Sequence, residues 1–262
     1  MENILYTENT AGVACLTLND PEAGNALDDG MVSTLEKHLG IIEKSPSLRA
    51  LVLRGSGDAF CLGVKKAWLK EPSSGGHGDA LRSAALLRRL AFLPKPVVTC
   101  VQGPAVALGV ALAAVSDFVL TTPGAYFQVP HARLGLVAAS LAPYLVAAVG
   151  PKKAKAWMLS GMKISALDAR EAGLVDKISP REALEENLEI LLRETLKGGP
   201  SALALSKQLV REVAFASAQN VEVQMAAAKR FEQARSSAEG MAGVAAFLHG
   251  HPPPWWPPDK IL

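Results

Sequence analysis

Residues 101–131, VQGPAVALGVALAAVSDFVLTTPGAYFQVPH, constrain this chain more than any other stretch. They read as the end of a buried strand, a glycine-punctuated turn, an apolar helix over 106–115, a second strand, and a loop ending in Pro130-His131. A helix between two apolar strands is a crossover unit, which needs a sheet to pack on. A helix that starts right after a tight turn also points its first backbone N–H groups into whatever cleft lies above it. Those donors, helped by the helix dipole, hold a developing negative charge. The segment therefore predicts an oxyanion-stabilising turn. It carries no acidic side chain before Asp117, where a proton-transfer group would be wanted.

The rest of the chain repeats the strand–helix pattern. Residues 14–18 form an apolar-rich run closed by the turn Asn19-Asp20-Pro21. Asp28 or Asp29 caps a helix through residues 31–42, with Met31, Leu35, Leu39 and Ile42 on one face. Residues 50–53 read as strand, 59–63 as a short extended piece, 80–92 as helix and 96–101 as strand. Residues 70–78 (KEPSSGGHG) read as a polar, mobile loop. After Gly150 the pattern turns helical: 151–160, 166–172, 180–197, 201–214 and 221–247, with a strand only at 174–178. The expectation is an α/β core over 1–197, built on a largely parallel sheet, and a helical region over 198–262. The tail 251–258 (HPPPWWPP) is not regular helix, because its prolines remove donors. Trp255 and Trp256 need cover from the body or from a neighbouring subunit.

Composition excludes several function classes. Net charge is +2 with acids and bases mixed, so no basic patch suits nucleic acid. The apolar run 134–149 is shorter than the ~20 residues of a bilayer span and contains Pro143, so it reads as buried helix, with the lining of a subunit interface as the alternative. No targeting peptide is expected, since Met1-Glu2-Asn3 opens on an acid. Cys15, Cys61 and Cys100 lack metal-ligand spacing and suit a reducing cytoplasm.

Several segments together resemble the enoyl-CoA hydratase/isomerase family, the crotonase superfamily. They are 18–27 (LNDPEAGNAL), 50–55 (ALVLRG), 60–63 (FCLG), 94–101 (PKPVVTCV), 103–117 (GPAVALGVALAAVSD), 127–130 (FQVP), Leu134-Gly135 and 166–175 (ALDAREAGLV), in that order. The resemblance implies a crotonase-like spiral of ββα units with a helical C-terminal trimerisation region, giving a homotrimer or a homohexamer. It implies no permanently bound cofactor. The substrate is an acyl thioester on coenzyme A or on the phosphopantetheine of an acyl-carrier protein. Two backbone N–H groups hold the thioester oxygen as it becomes an enolate. Carried over by position, they belong to Leu62, just before Gly63, and to Leu108, just before Gly109.

The sequence departs from the hydratase pattern at the acids. The two hydratase glutamates fall at Ala111 and His131, and the double-bond isomerases' carboxylate falls near Ala138-Ala139. The acid two residues after the FxxG glycine is Lys65. General acid–base help is worth about 10²–10⁴-fold, so ordinary hydration is not expected. His131 is the candidate proton carrier, since imidazole titrates near neutrality. Lys65 and Lys66 are candidates for cofactor phosphates or a substrate carboxylate, and solvated charge is the plainer alternative. Polyketide-pathway decarboxylases of the family also lack both glutamates and keep a lysine near Lys66. The expected enzyme is thus a decarboxylase-, isomerase- or dehydratase-type lyase acting through an enolate, in secondary, polyketide-like metabolism. The alternative is a catalytically inactive thioester-binding or scaffolding homologue. Gly63, Gly109 and Ala111 complete the expected substrate-binding set.

Overall fold

The computed structural model describes residues 2–67, 78–214, 216 and 220–262. The polar 70–78 loop therefore lies, apart from Gly78, outside the described residues. Strands β1 (Ile4–Glu8) and β2 (Val13–Leu18) pair antiparallel. From β2 the sheet runs parallel through β3 (Ala50–Gly55), β4 (Val97–Val101), β6 (Phe118–Thr121) and β9 (Lys177–Ile178). A smaller sheet pairs β5 (Ala105–Val106) parallel with β7 (Tyr126–Gln128), which in turn pairs antiparallel with β8 (Lys163–Ser165).

Alternation along the strands builds two cores. On β3, Leu51 and Leu53 face the main apolar cluster, while Ala50 and Val52 face a second one. The main cluster contains α1 (Asp29–Lys44), α2 (Gly78–Phe92) and α3 (Leu108–Ala114). Helix α1 forms as its sequence predicts. Asp28 caps it by accepting the Met31 N–H at 2.9 Å, and Met31, Leu35, Leu39 and Ile42 are all buried. Next come α4 (Ala142–Ser160), α5 (Ala166–Glu171) and α6 (Leu184–Leu196). Helix α6 covers the second cluster with Leu184, Leu188, Leu192 and Leu196. Helices α7 (Pro200–Val213), α8 (Val221–Ser236) and α9 (Ala238–Leu248) complete the C-terminal region.

Four expectations need correction. The helix expected from 106 starts at Leu108, because Ala105 and Val106 pair with β7 as strand. The expected single helix over 221–247 is two, broken at Ser237, whose side chain caps α9 by accepting the Gly240 N–H. Strand β9 covers only Lys177–Ile178 of the expected 174–178, and β8 is a further strand after Gly150. Residues 134–149 are not one buried helix. Gly135 is left-handed, Leu134, Leu136 and Val137 are exposed, and helix begins only at Ala142. Helix α4 is itself kinked where Gly150 (φ 75°) precedes Pro151.

The proline-rich tail folds back onto the body, as its tryptophans require. Arg49 donates to Trp255 O (2.6 Å), Leu196 O (2.8 Å) and Gly198 O (2.8 Å). Trp255 Nε1 donates to Lys197 O at 3.1 Å, and the Lys197 ammonium lies 5.4 Å from the Trp256 ring centre. The Glu189 carboxylate accepts the Ile261 and Leu262 N–H groups. Charged donors to buried carbonyls contribute about 1.5–3 kcal/mol each, though not additively. Arg49→Ala is therefore expected to lower unfolding stability by about 2–3 kcal/mol, read as a lower denaturant midpoint with an unchanged slope.

Candidate active site

Two turns meet at the upper edge of the sheet. The first, Phe60-Cys61-Leu62-Gly63, runs beside Pro104 and β5. Phe60 and Cys61 both donate to Pro104 O (3.1 and 3.2 Å), and Val106 donates to Cys61 O at 2.8 Å. The second turn, Ala105–Val106 into Leu108–Ala114, is joined to β7 by the Ala107 N–H to Gln128 O at 2.9 Å. Glycines let the turns touch. A Cβ on Gly109 would lie 2.2 Å from Cys61 O, and one on Gly63 would lie 3.1 Å from Ala107 Cβ. Gly63 also sits at φ +101°, a value open to glycine. Cys61 is a buried apolar filler, its thiol pushed up to about 12 by burial.

The backbone donors differ from the expectation at one position. Leu62 N–H donates to Gly24 O at 2.9 Å, so it is spent on the neighbouring loop and is not an oxyanion donor. Three residues on, Lys65 N–H donates to Leu27 O (2.9 Å), and Gly63 O accepts from Leu27 N–H (2.8 Å). The residue between, Val64, turns its own N–H to the opposite side. Among the described residues that N–H has no acceptor, nor does the Leu108 N–H. A Cβ on Gly63 would lie 3.8 Å from the Leu108 nitrogen, so that nitrogen lies beside the first turn. Leu108 avoids positive φ: the strain falls on Ala107 (φ 51°), and the Leu108 side chain packs in the main cluster.

The flanking side chains also divide. Lys65 does not face a ligand. Its ammonium bridges Asp20 and Asp28, both at 2.8 Å, and these hydrogen bonds raise it above the usual lysine range. Lys66 is exposed and has no ion pair among the described residues. Ala111 is fully buried in the main cluster, so it lines core and not an open site. Gly109 acts by bringing the turns together. His131 stands three residues beyond β7, at the start of a short 3-10 turn (His131–Leu134). Three residues of chain put it within about 10 Å of Gln128, which accepts the Ala107 N–H.

The half-buried His131 ring has a sealed Nδ1 with no hydrogen-bond partner among the described residues. Burial lowers its pKa, keeping the ring neutral near pH 7. A depressed folded-state histidine pKa means that the unfolded chain binds more protons below about pH 6.5. His38, lowered chiefly by burial, contributes with the same sign. Stability is therefore expected to fall as pH drops from about 6.5 through the lower folded-state values, and His131→Gln should flatten that fall in denaturant midpoints.

Sequence reasoning missed Val64 and Asn25. Asn25 is fully buried at φ 56°. It accepts the Asp20 N–H at 2.9 Å and donates to Ser56 O and Ala59 O, both at 2.8 Å, fixing the loop that braces the first turn. Its place in an Asp-Pro-x-x-Gly-Asn turn is the one signal of that role. Among the described residues, no group of three or more His, Cys, Asp or Glu side chains could hold a metal ion, and no helix is long and apolar enough to cross a membrane.

Two unpaired backbone N–H groups on touching turns, beside a mostly parallel sheet flanked by helices, make an arrangement of the oxyanion-hole kind on an α/β fold. The model of the enoyl-CoA hydratase/isomerase family matches residues 8–257. A Thermus thermophilus protein named putative enoyl-CoA hydratase is 38% identical over 76% of this chain and 80% of its own length. An Escherichia coli 1,2-epoxyphenylacetyl-CoA isomerase is 31% identical over 95% of this chain and 96% of its own. The crystal structure of an enoyl-CoA hydratase from Mycobacterium smegmatis superposes with a TM-score of 0.90 at 30% identity, covering 97% of this chain and 99% of the other. The chain belongs to the enoyl-CoA hydratase/isomerase family and has the crotonase fold, with its helical C-terminal region.

Proposed function

We propose that this protein is an acyl-thioester enzyme that works through an enolate, of isomerase, dehydratase or decarboxylase type and not an ordinary enoyl-CoA hydratase. The carrying observation is the pair of unpaired N–H groups at Val64 and Leu108 on touching turns. Donors held in apolar surroundings stabilise an oxyanion without reorganising as charge develops. By the family resemblance, Ala111 and His131 stand where hydratases hold glutamates, so those two positions supply no carboxylate to activate water.

His131 supplies the proton chemistry. A neutral ring is a base first, which favours isomerisation. It takes the proton from Cα of a β,γ-unsaturated thioester, the electron pair passes to the thioester oxygen, and the proton returns at Cγ. Exposed Leu134, Leu136 and Val137, just past His131, favour an apolar acyl group. The carrier is coenzyme A or an acyl-carrier protein, in a polyketide-like pathway of the cytoplasm. The same reading divides the chain into a core over 1–197 and a helical region over 198–262 that assembles a trimer or hexamer.

A second reading, a thioester-binding homologue without catalysis, is favoured by one observation: Ala111 is sealed in the core. Incubation with crotonyl-CoA, a β,γ-enoyl-CoA and methylmalonyl-CoA, followed by mass, separates the two. Conversion of the β,γ-enoyl or malonyl thioester is expected. Binding of all three with no product points to the second reading.

A further inference from the structure

Lys65 sits beside one of the two oxyanion donors, yet its side chain is turned away from any ligand. Its Nζ lies 2.8 Å from Asp20 Oδ2 and 2.8 Å from Asp28 Oδ2, with side-chain exposures of 30%, 21% and 31% for Lys65, Asp20 and Asp28. Neither carboxylate is a loose surface group. Asp20 caps the 3-10 turn Pro21–Ala23 by accepting the Ala23 N–H, and Asp28 caps α1 by accepting the Met31 N–H. One ammonium thus ties the 62–65 turn to two fixed helix starts. The backbone adds Leu62 to Gly24, Leu27 to Gly63 and Lys65 to Leu27 bonds around Val64.

We infer that Lys65 is a positioning residue, whose bridge to Asp20 and Asp28 fixes the first turn so that the Val64 N–H aims at the thioester oxygen. The inference rests on the enolate reading given above. Without the ammonium, two carboxylates that face one point repel each other, and the 20–28 loop separates from the 62–65 turn. A donor displaced by a fraction of an ångström loses much of its effect on a developing oxyanion, while carrier binding elsewhere is untouched. Lys65→Arg keeps the charge and its reach to both acids.

The test uses [1-13C]butyryl-CoA, which cannot isomerise, as an infrared probe. Bound to the full-length protein, its carbonyl band is expected at lower wavenumber than in water. Lys65→Met should bind it with similar affinity but give a clearly smaller displacement, and Lys65→Arg should restore it. Amide exchange at Leu62 and Lys65 is expected to quicken about 10-fold in Lys65→Met. On a β,γ-enoyl-CoA the same variant should lose about 10-fold in kcat at unchanged KM. A full carbonyl displacement in Lys65→Met, with exchange as in the wild type, overturns the role of Lys65 and leaves the enolate reading standing. No displacement in the wild type overturns the enolate reading and this inference with it.

Discussion

His131→Ala is expected to lower turnover of a β,γ-enoyl thioester by about 10²–10⁴-fold, with thioester affinity little changed. The ring stands in the short turn that follows β7, whose Gln128 carbonyl accepts the Ala107 N–H of the second turn. Its Nδ1 is shielded from solvent and has no partner among the described residues, and burial keeps the ring neutral. Removing the ring leaves the Val64 and Leu108 donors in place, so the carbonyl displacement of bound butyryl-CoA should persist. Loss of turnover with that displacement retained separates proton transfer from oxyanion binding. Equal turnover in the variant would remove His131 from the mechanism.

Gly109→Ala is expected to have the largest structural effect, at least about 3 kcal/mol of lost stability, and to abolish thioester polarisation. The new methyl would lie 2.2 Å from Cys61 O and 3.0 Å from Cys61 Cβ. The first of these is a backbone atom, tied to Val106 N–H at 2.8 Å, so it cannot swing aside as a side chain would. Relief requires the two turns to part, and their contact is what brings the two donors together. Calorimetry and the infrared probe should therefore fail together. A variant with wild-type melting and full polarisation would contradict the packing described here.

Much of this was legible in the sequence because it is local. The Asp28 cap, the buried face of α1 and the parallel strands follow from spacing within a dozen residues. A free N–H at Leu108 was legible too, since it depends only on where the helix starts. The first turn was not. Whether Leu62 or Val64 offers a free N–H is decided by Gly24 and Leu27, far away in sequence, which claim the Leu62 and Lys65 donors. The partners of Lys65 are equally remote, so a lysine beside a binding turn looks like a ligand contact until Asp20 and Asp28 are seen on it. Residues 134–137 misled for another reason. Apolar composition suggests burial, but left-handed Gly135 interrupts the helix and leaves Leu134, Leu136 and Val137 exposed.

We propose above that this family member forms enolates without a carboxylate pair. That proposal is tested most directly by incubating the protein with a β,γ-enoyl-CoA in deuterium oxide and following the acyl chain by mass. The expected result is the α,β-unsaturated product with deuterium incorporated, both forming about 10²–10⁴-fold more slowly with His131→Ala. Efficient addition of water to crotonyl-CoA, or no exchange at carbon with any thioester offered, would contradict it.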